Sequence, residues 1–334
     1  MTASAGKFSF RGARPWLPLA FVLLGLAVTS STFHLPQLTY RYLFVIDITQ
    51  SMNVFDMNSG DSLVTRLEFA KAAVEAAIRN LPCGSEAGVA IFTEHRTFVL
   101  FTPVEICEHY STLSVSLAKI DWRMAWAARS EVAKGLYSAH AAARQIGDDT
   151  RLVYLTDGHE APPHNKNLAP PFRGDAGSIA GFIGGIGGLV PQRIPHLDER
   201  GNVLGYWRHE DVMQIDIYSV GRAASEQGEA MVGINIANIA RRIALGQEHL
   251  SSLRETHLQR LATQTGLDYA RVESPAQFVD TLLQNKYGRR LPVLSDVGFV
   301  PASVAFGCLV WCFVALPWRS RPASAGAAIY APGG

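Results

Sequence analysis

The sequence has little charge and few cysteines. Of its 334 residues only 18% are charged, and 30 lysines and arginines against 29 acids leave a formal net charge of +1. A chain without a positive excess has no overall electrostatic attraction for nucleic acid, so we expect no nucleic-acid partner. The hydrophobic content of 48% excludes a disordered protein. Because the charged fraction lies below the roughly 25% of soluble domains, part of the apolar sequence has another use than a soluble core.

Two segments without charge lie near the ends of the chain, at residues 15–33 and 297–318. Each is long enough to cross the hydrocarbon core of a bilayer, and we predict a transmembrane segment at both. The basic residues of their flanks are Lys7, Arg11 and Arg14 before the first and Arg319 and Arg321 after the second. The positive-inside rule therefore predicts cytoplasmic tails at 1–14 and 319–334, with the intervening domain exported. The first segment could instead be a cleaved signal peptide, and that route exports the domain as well.

Short apolar runs alternate with helical patterns over residues 40–290. This order predicts a single α/β domain with a doubly wound, mostly parallel sheet flanked by helices. The predicted strands are 42–46, 87–93, 97–101, 151–156 and 267–272, and the predicted helices are 66–80, 106–120, 130–143, 253–264 and 275–284. A loop insertion rich in proline and glycine occupies about 159–250. Within it two stretches, 179–186 and 214–220, compete to be a further strand, and propensity does not decide between them.

Polar side chains follow two of the predicted strands at their carboxyl ends. Asp47, Thr49 and Ser51 follow the first strand, Asp157 follows strand 151–156, and Ser130 opens a helix. Ligands of open parallel sheets bind at this edge. Hydroxyl and carboxylate oxygens suit Mg²⁺ or Ca²⁺ and not zinc, which prefers nitrogen and sulfur. By itself such a cluster is more often turn chemistry, so its context decides.

The order of these elements and motifs resembles the von Willebrand factor A (vWA) domain and its metal-ion-dependent adhesion site (MIDAS). Asp47, Thr49 and Ser51 match the Asp-x-Ser-x-Ser motif with a hydroxyl retained at Thr49, and Asp157 matches the final Asp. Ser130 stands where the family has Thr, although Ala128 and Arg129 replace the Gly-Gly that usually precedes it. The resemblance implies a divalent metal ion, Mg²⁺ or Ca²⁺, held by these five residues, and no catalysis.

Further segments resemble membrane-tethered bacterial vWA proteins, both of aerotolerance operons (Bat-type) and of methanol-dehydrogenase gene clusters. They are 51–53, 66–71, 257–262 and 266–269, and the segments 47–53, 187–191 and 205–207 favour the methanol-oxidation group. The resemblance implies a protein of the bacterial inner membrane with its vWA domain in the periplasm, whose metal captures an Asp or Glu carboxylate of a partner protein. It also implies an accessory role in assembly, activation or metal insertion of a quinoprotein (methanol-type) dehydrogenase, with a cytoplasmic AAA-type ATPase as a further partner.

Two other functions stay open at this stage. A general envelope-stress scaffold would share the fold and the metal, and only its partner would differ. A metal-dependent hydrolase is disfavoured because a phosphatase-type site wants a second Asp where Thr49 stands.

The remaining features have simpler interpretations. The vWA fold would bring Cys83 and Cys107 to the same end of the sheet, where a disulfide could form, whereas Cys308 and Cys312 lie in the predicted membrane helix. The zinc-like group His159, Glu160 and His164 lacks the required helical spacing and is interpreted as polar loop. We interpret Tyr206 and Trp207 as core in preference to a partner contact.

Overall fold

The computed structural model describes residues 15–29, 32–60, 62–163, 170–214 and 244–315. The chain divides into two units: residues 1–37 with 291–334, and residues 38–290. The predicted tails 1–14 and 319–334, the candidate strand 215–220 and His164 lie outside the described residues.

A six-stranded sheet forms the centre of the unit 38–290. Its strands are β2 (Arg41–Asp47), β5 (Glu86–Thr93), β6 (Arg96–Glu105), β7 (Arg151–Thr156), β8 (Gly181–Gly185) and β13 (Asp268–Arg271). In space they follow the order β13-β8-β7-β2-β5-β6, with all neighbours parallel except the antiparallel pair β5–β6. The prediction of a mixed α/β domain with a mostly parallel sheet is thus confirmed. The candidate stretch 179–186 contains strand β8, whereas the other candidate, 214–220, lies outside the described residues apart from Gln214.

Helices cover both faces of this sheet. They are α2 (Arg66–Asn80), α3 (Ile106–Ala118), α4 (Val132–Ile146), α5 (Glu255–Thr265) and α6 (Pro275–Leu282). Tyr42, Phe44 and Ile46 of β2 pack into one core cluster, and Leu43 and Val45 pack into the cluster on the opposite face. A strand buried on both faces must be apolar throughout, which is why β2 was visible in the sequence as a continuous apolar run.

Local sequence signals fix several of the helix ends. Thr65 caps α2 through a capping box with Glu68, in which each side chain bonds the backbone N–H of the other. Ser274 caps α6, which has Pro275 in its first turn. Ser130, by contrast, does not open a helix: α4 begins at Val132, and Ser130 pairs with Ala161 through two backbone hydrogen bonds of 2.8 Å.

Three small hairpins and pairs were not predicted. β3 (Phe55–Ser59) and β4 (Ser62–Thr65) form a hairpin between the Asp47–Ser51 motif and α2. Within the insertion, β10 (Pro195–Leu197) pairs with β11 (Val203–Tyr206), and β9 (Gln192–Arg193) pairs with β12 (Leu250–Ser251). Short polar strands of this kind carry too little periodicity to be detected in a sequence. The structure also contains a disulfide between Cys83 and Cys107, with a Cα–Cα distance of 5.4 Å.

In the unit of residues 1–37 and 291–334, two apolar helices pack together through small side chains. α1 (Trp16–Thr29) contributes Ala20, and α7 (Phe299–Val310) contributes Ala305 and Cys308. Strand β1 (Thr32–Thr39) pairs with β14 (Arg289–Asp296). The two segments predicted to cross a membrane contain helices of only 14 and 12 residues, the second followed by a π-helical turn at Trp311–Ala315. Within the described part of the chain, no helix has the length and apolar character needed to span a bilayer.

Candidate functional site

The predicted site residues of β2 and β7 come together at the carboxyl edge of the sheet. Asp47 is the last residue of β2, and Asp157 directly follows β7. The two strands are parallel neighbours, with Ile46 beside Leu155, so the residues that follow them emerge side by side. Both carboxylates are fully buried. The sheet topology therefore places the two acids of the motif in one polar centre, as the sequence pattern predicts.

Asp47 is held by three hydrogen bonds to its carboxylate. Its Oδ1 accepts from the backbone N–H of Thr49 at 2.9 Å and from the Thr49 hydroxyl at 2.7 Å, while Oδ2 accepts from the Thr156 hydroxyl at 2.6 Å. Burial, followed by the nearby charge of Asp157, raises the pKa of Asp47 well above its usual value, and these hydrogen bonds only partly oppose that rise. A nearby cation would relieve the cost of keeping this carboxylate ionised.

Three further hydroxyl side chains lie at this edge of the sheet. The Thr49 and Ser51 oxygens lie 3.5 Å apart, and both side chains are buried. Ser130 is also buried, and its Oγ has no hydrogen-bond partner among the described residues. An unpartnered buried hydroxyl costs free energy unless a ligand satisfies it. The Ser130 oxygen is therefore able to bind a ligand at this edge of the sheet.

Asp157 makes an ion pair that the sequence analysis did not predict. Its Oδ2 accepts from Arg66 Nη1 at 2.6 Å and from the Ser251 hydroxyl at 2.9 Å, and its Oδ1 accepts from the His159 backbone N–H at 2.9 Å. Burial opposes ionisation of Asp157, but the Arg66 charge and then the His159 ring and backbone hold its pKa below the usual range. Asp157 is thus an ionised carboxylate in the interior, stabilised by a cation of the chain itself.

Arg66 connects this centre to the hairpin β3–β4 and to the insertion. Its side chain is 0% exposed, and its Nε and Nη2 bind the Asp56 carboxylate at 2.9 and 2.6 Å. Gly187 packs directly against it, because a Cβ at that position would lie 2.8 Å from Arg66 Nε. One sequence signal could have revealed Arg66: it occupies the first position of α2, where the helix dipole favours acids over bases.

The donor set fits a hard divalent cation. Asp47 and Asp157 supply charge, and Thr49, Ser51 and Ser130 supply neutral oxygens, a combination that suits Mg²⁺ or Ca²⁺. A second group, Cys83, Glu105 and Cys107, is compact enough to resemble a metal site. Its sulfurs are joined in the disulfide, so it offers no thiolate ligand.

A cavity of about 150 Å³ opens beside the hydroxyls. Thr49, Ser51 and Ser130 line it from the sheet edge, and the insertion contributes both apolar side chains and acids, which are Ile194, Trp207, Val212, Met213, Asp211 and Glu248. Trp207 is therefore part of a site wall. The interpretation of Tyr206 as core is wrong, since this residue is 52% exposed at the end of an edge strand.

The segment after Asp157 organises the loop that carries Ser130. Glu160 accepts hydrogen bonds from the backbone N–H groups of Val132 and Ala133 at 2.8 and 2.9 Å, at the start of α4. The same carboxylate lies 3.0 Å from His257 Nε2. Because its hydrogen bonds hold the first residues of α4, which follow Ser130 closely in the chain, Glu160 fixes the start of this helix. Glu160 therefore has a structural role beyond that of the polar loop residue expected from the sequence.

Among known proteins, the chain is similar only to solved structures, and at low sequence identity. No protein-family model matches the sequence, and no curated protein matches it. Among solved structures, the chain is similar to an aerotolerance-related membrane protein from Bacteroides fragilis NCTC 9343, with 15% identity, a TM-score of 0.44, and coverage of 74% of this chain and 98% of that one. It is also similar to the conserved hypothetical protein BatB from Bacteroides thetaiotaomicron, with 16% identity, a TM-score of 0.45, and coverage of 74% and 97%.

A third similar structure is a von Willebrand factor type A protein from Catenulispora acidiphila, with 11% identity, a TM-score of 0.37, and coverage of 76% of this chain and 49% of that one. At these TM-scores the likenesses carry no conclusion about function.

Proposed function

We propose that this protein is a metal-dependent protein-binding module, not an enzyme, in which Asp47, Thr49, Ser51, Ser130 and Asp157 hold a Mg²⁺ or Ca²⁺ ion. The observation that carries the proposal is the buried Ser130 oxygen, which has no partner among the described residues and lines the same cavity as Thr49 and Ser51. A bound ion would offer an open coordination position to a carboxylate of a partner. The chain's own contribution is to fix five oxygens at the edge of a rigid sheet, next to a cavity that admits a side chain.

The metal part of the proposal is tested by thermal unfolding of the detergent-solubilised full chain in chelator, in Mg²⁺ and in Ca²⁺. A ligand that binds only the folded state raises its stability, by about 2.7 kcal/mol when present at 100 times its Kd. We expect Asp47→Asn, which keeps an acceptor for Thr49, to lose this metal-dependent increase. The control is Asp175→Asn, since that carboxylate is 73% exposed and pairs only with Arg144 among its described contacts. Equal metal stabilisation in both variants would disprove the site assignment.

We further propose that the chain is membrane-associated through its two terminal apolar segments, with the domain on the periplasmic side of the bacterial inner membrane. Support comes from the apolar side chains that α1 and α7 leave exposed, including Phe21, Val22, Val28, Phe299, Phe306 and Val304. Side chains of this kind on both helices are costly in water and favourable in lipid. Flotation of the full chain with lipid vesicles, compared with the segment 38–290 expressed alone, measures this association.

The finer role is a proposal that rests on the sequence resemblance. We propose an accessory function in assembling, activating or metallating a quinoprotein alcohol dehydrogenase, with a cytoplasmic AAA-type ATPase as a second partner and a general envelope-stress scaffold as the alternative. The test is co-purification with wild type and Asp47→Asn in Mg²⁺, Ca²⁺ and chelator. Retention of a dehydrogenase or its maturation proteins only with metal and intact Asp47 is expected. Retention that ignores both metal and mutation would contradict the proposal.

A further inference from the structure

Cys83, Glu105 and Cys107 form a compact group of metal-ligating side chains. One ligand atom of each, a sulfur or a carboxylate oxygen, lies within 4.8 Å of the other two. In a tetrahedral zinc site, with bonds of about 2.3 Å to sulfur and about 2.0–2.2 Å to oxygen, such atoms lie about 3.5–3.8 Å apart. The three side chains therefore need only small rotations to reach one ion, once the two sulfurs are no longer joined.

The backbone holds these residues together without help from the disulfide. Glu86 pairs with Glu105 in the antiparallel pair β5–β6, which brings the start of β5 to the end of β6. The Glu105 carboxylate also joins the two segments, since it accepts from the Gly84 N–H at 2.7 Å and from the Glu108 N–H at 2.6 Å. Each cysteine is thus fixed by its neighbours in the chain, and we expect the reduced thiols to stay close together.

The disulfide is open to a reductant, because both of its cysteines are exposed. Exposed disulfides are reduced more readily than buried ones. Cys107 is also the second residue of α3, where the helix dipole stabilises a thiolate. Burial opposes ionisation of Glu105, but the backbone N–H groups of Glu108, Gly84 and Cys107 hold the pKa of this carboxyl below its usual value. The reduced group therefore offers two sulfurs and an ionised carboxylate.

We propose that reduction of the Cys83–Cys107 disulfide creates a site for a thiolate-binding metal ion such as Zn²⁺, with Glu105 as the third protein ligand. A dithiol reductant gives two electrons and two protons to the disulfide and becomes a disulfide itself. The two thiols that form lose their protons when the ion binds, and a water molecule completes the tetrahedral coordination. The segment before β5 is thus linked to the start of α3 in both states, by a disulfide or by a metal ion.

This site is separate from the one at the carboxyl edge of the sheet. In the parallel pair β2–β5, Glu86 lies beside Arg41 at the amino end, whereas Asp47 lies beside Phe92 at the carboxyl end. The strand from Arg41 to Asp47 rises by about 20 Å. The ligands differ as well, because thiolates favour softer ions than carboxylates and hydroxyls do. Each site can therefore be tested without the other.

The test uses the detergent-solubilised full chain with Cys308→Ala and Cys312→Ala, so that Cys83 and Cys107 supply its only thiols. The protein is titrated with Co²⁺, first in the oxidised state and then after reduction by a phosphine, which becomes a phosphine oxide. Thiolate-bound Co²⁺ has an intense charge-transfer absorption in the near ultraviolet that oxygen-bound Co²⁺ lacks. This band therefore reports the cysteine site and not the carboxyl edge, and its loss on addition of Zn²⁺ gives the Kd for zinc.

The variant is Glu105→Gln, and its control is Glu108→Gln, because Glu108 is exposed in the first turn of the same helix. We expect the band in the reduced protein and not in the oxidised protein. The Kd for Zn²⁺ should rise about 10-fold or more in Glu105→Gln, since even a group that only supports a metal ligand contributes about this much. Glu108→Gln should bind Zn²⁺ as the wild type does.

Three results would overturn the site. The first is a reduced protein without the band, or an oxidised protein with it. The second is an equal Kd for Zn²⁺ in Glu105→Gln and Glu108→Gln. The third is loss of the folded circular-dichroism spectrum on reduction, because the site requires the fold to hold both thiols together.

Discussion

Arg66 is the residue whose removal should reveal most about this site. It is fully buried and forms ion pairs of 2.6 Å with both Asp56 and Asp157. Replacing it by Met preserves most of the apolar volume of the side chain and leaves two buried carboxylates without a cation. Removing one partner of a buried ion pair costs about 3–5 kcal/mol. For a domain of this size each kcal/mol lowers the unfolding midpoint by about 2–4 °C, so we expect a decrease of about 6–20 °C in chelator.

A divalent ion should reverse part of this loss, because an ion beside Asp157 replaces the missing positive charge. We therefore expect Arg66→Met to gain more from Mg²⁺ or Ca²⁺ than the wild type does. The measurement is differential scanning fluorimetry of the full chain in detergent, in chelator and across a metal titration. The control is Arg79→Met, since Arg79 is 64% exposed and its pair with Glu75 is a surface contact between successive helical turns, worth about 0.5 kcal/mol or less.

Two results would refute this reasoning. If Arg66→Met and Arg79→Met unfold at the same temperature in chelator, the buried network does not stabilise the domain. If Arg66→Met is strongly destabilised and metal gives it no more than it gives the wild type, the ion does not lie near Asp157.

Three further predictions concern single positions. Ser130→Ala should weaken metal binding and leave the unfolding temperature of the metal-free protein unchanged or slightly raised. The reason is that it removes a buried hydroxyl that has no partner among the described residues. Measuring the unfolding temperature across a metal titration gives both the metal affinity and the metal-free stability. Burial raises the pKa of Glu248 from 4.5 to about 7, so the folded protein favours the protonated side chain. The contribution of Glu248 to the free energy of unfolding is therefore fully present below pH 4.5 and is lost as the pH rises through 7, by up to about 3 kcal/mol. Glu248→Gln should lose this dependence when urea unfolding is measured at pH 5 and pH 8. Gly187→Ala should destabilise by about 1–3 kcal/mol through its φ of +129° and its contact with Arg66, and more than Gly201→Ala, whose φ is +83° with open space around it; equal losses would exclude the contact as a cause.

The framework of the fold could be predicted because its signals are local. Strand β2 contains an uninterrupted apolar run and ends in Asp47, and α2 begins with a capping box. Each of these elements can therefore be predicted from a few neighbouring residues. Asp47 and Asp157 could be paired because parallel strands place their carboxyl ends together. The departure at Ser130 has a physical reason: backbone pairing with Ala161 competes with helix initiation and delays α4 until Val132.

The contacts that distinguish this site were not predictable, because they join positions far apart in the sequence. Arg66 reaches Asp157 across 91 residues and Ser251 across 185 residues. Trp207 enters the cavity wall from an insertion whose short strands have no clear periodicity. Propensity and spacing describe neighbours along the chain, whereas a buried ion pair depends on which loops cross the same edge of the sheet.

The hydrogen bonds of the two carboxylates indicate which atoms would hold an ion directly. A carboxylate has about four lone-pair sites. Asp157 accepts from Arg66, Ser251 and the His159 backbone, and the first of these donors is a cation that already balances its charge. Asp47 accepts three hydrogen bonds, all from neutral donors, so it keeps about one site for an ion. The Ser130 oxygen has no partner in the described part of the chain, so its lone pairs are available as well. Direct contact with Asp157 would bring an ion next to the Arg66 guanidinium, and repulsion between like charges disfavours that position. We therefore expect Asp157 to act on an ion through its charge or through water, with the hydroxyls and Asp47 as the direct ligands.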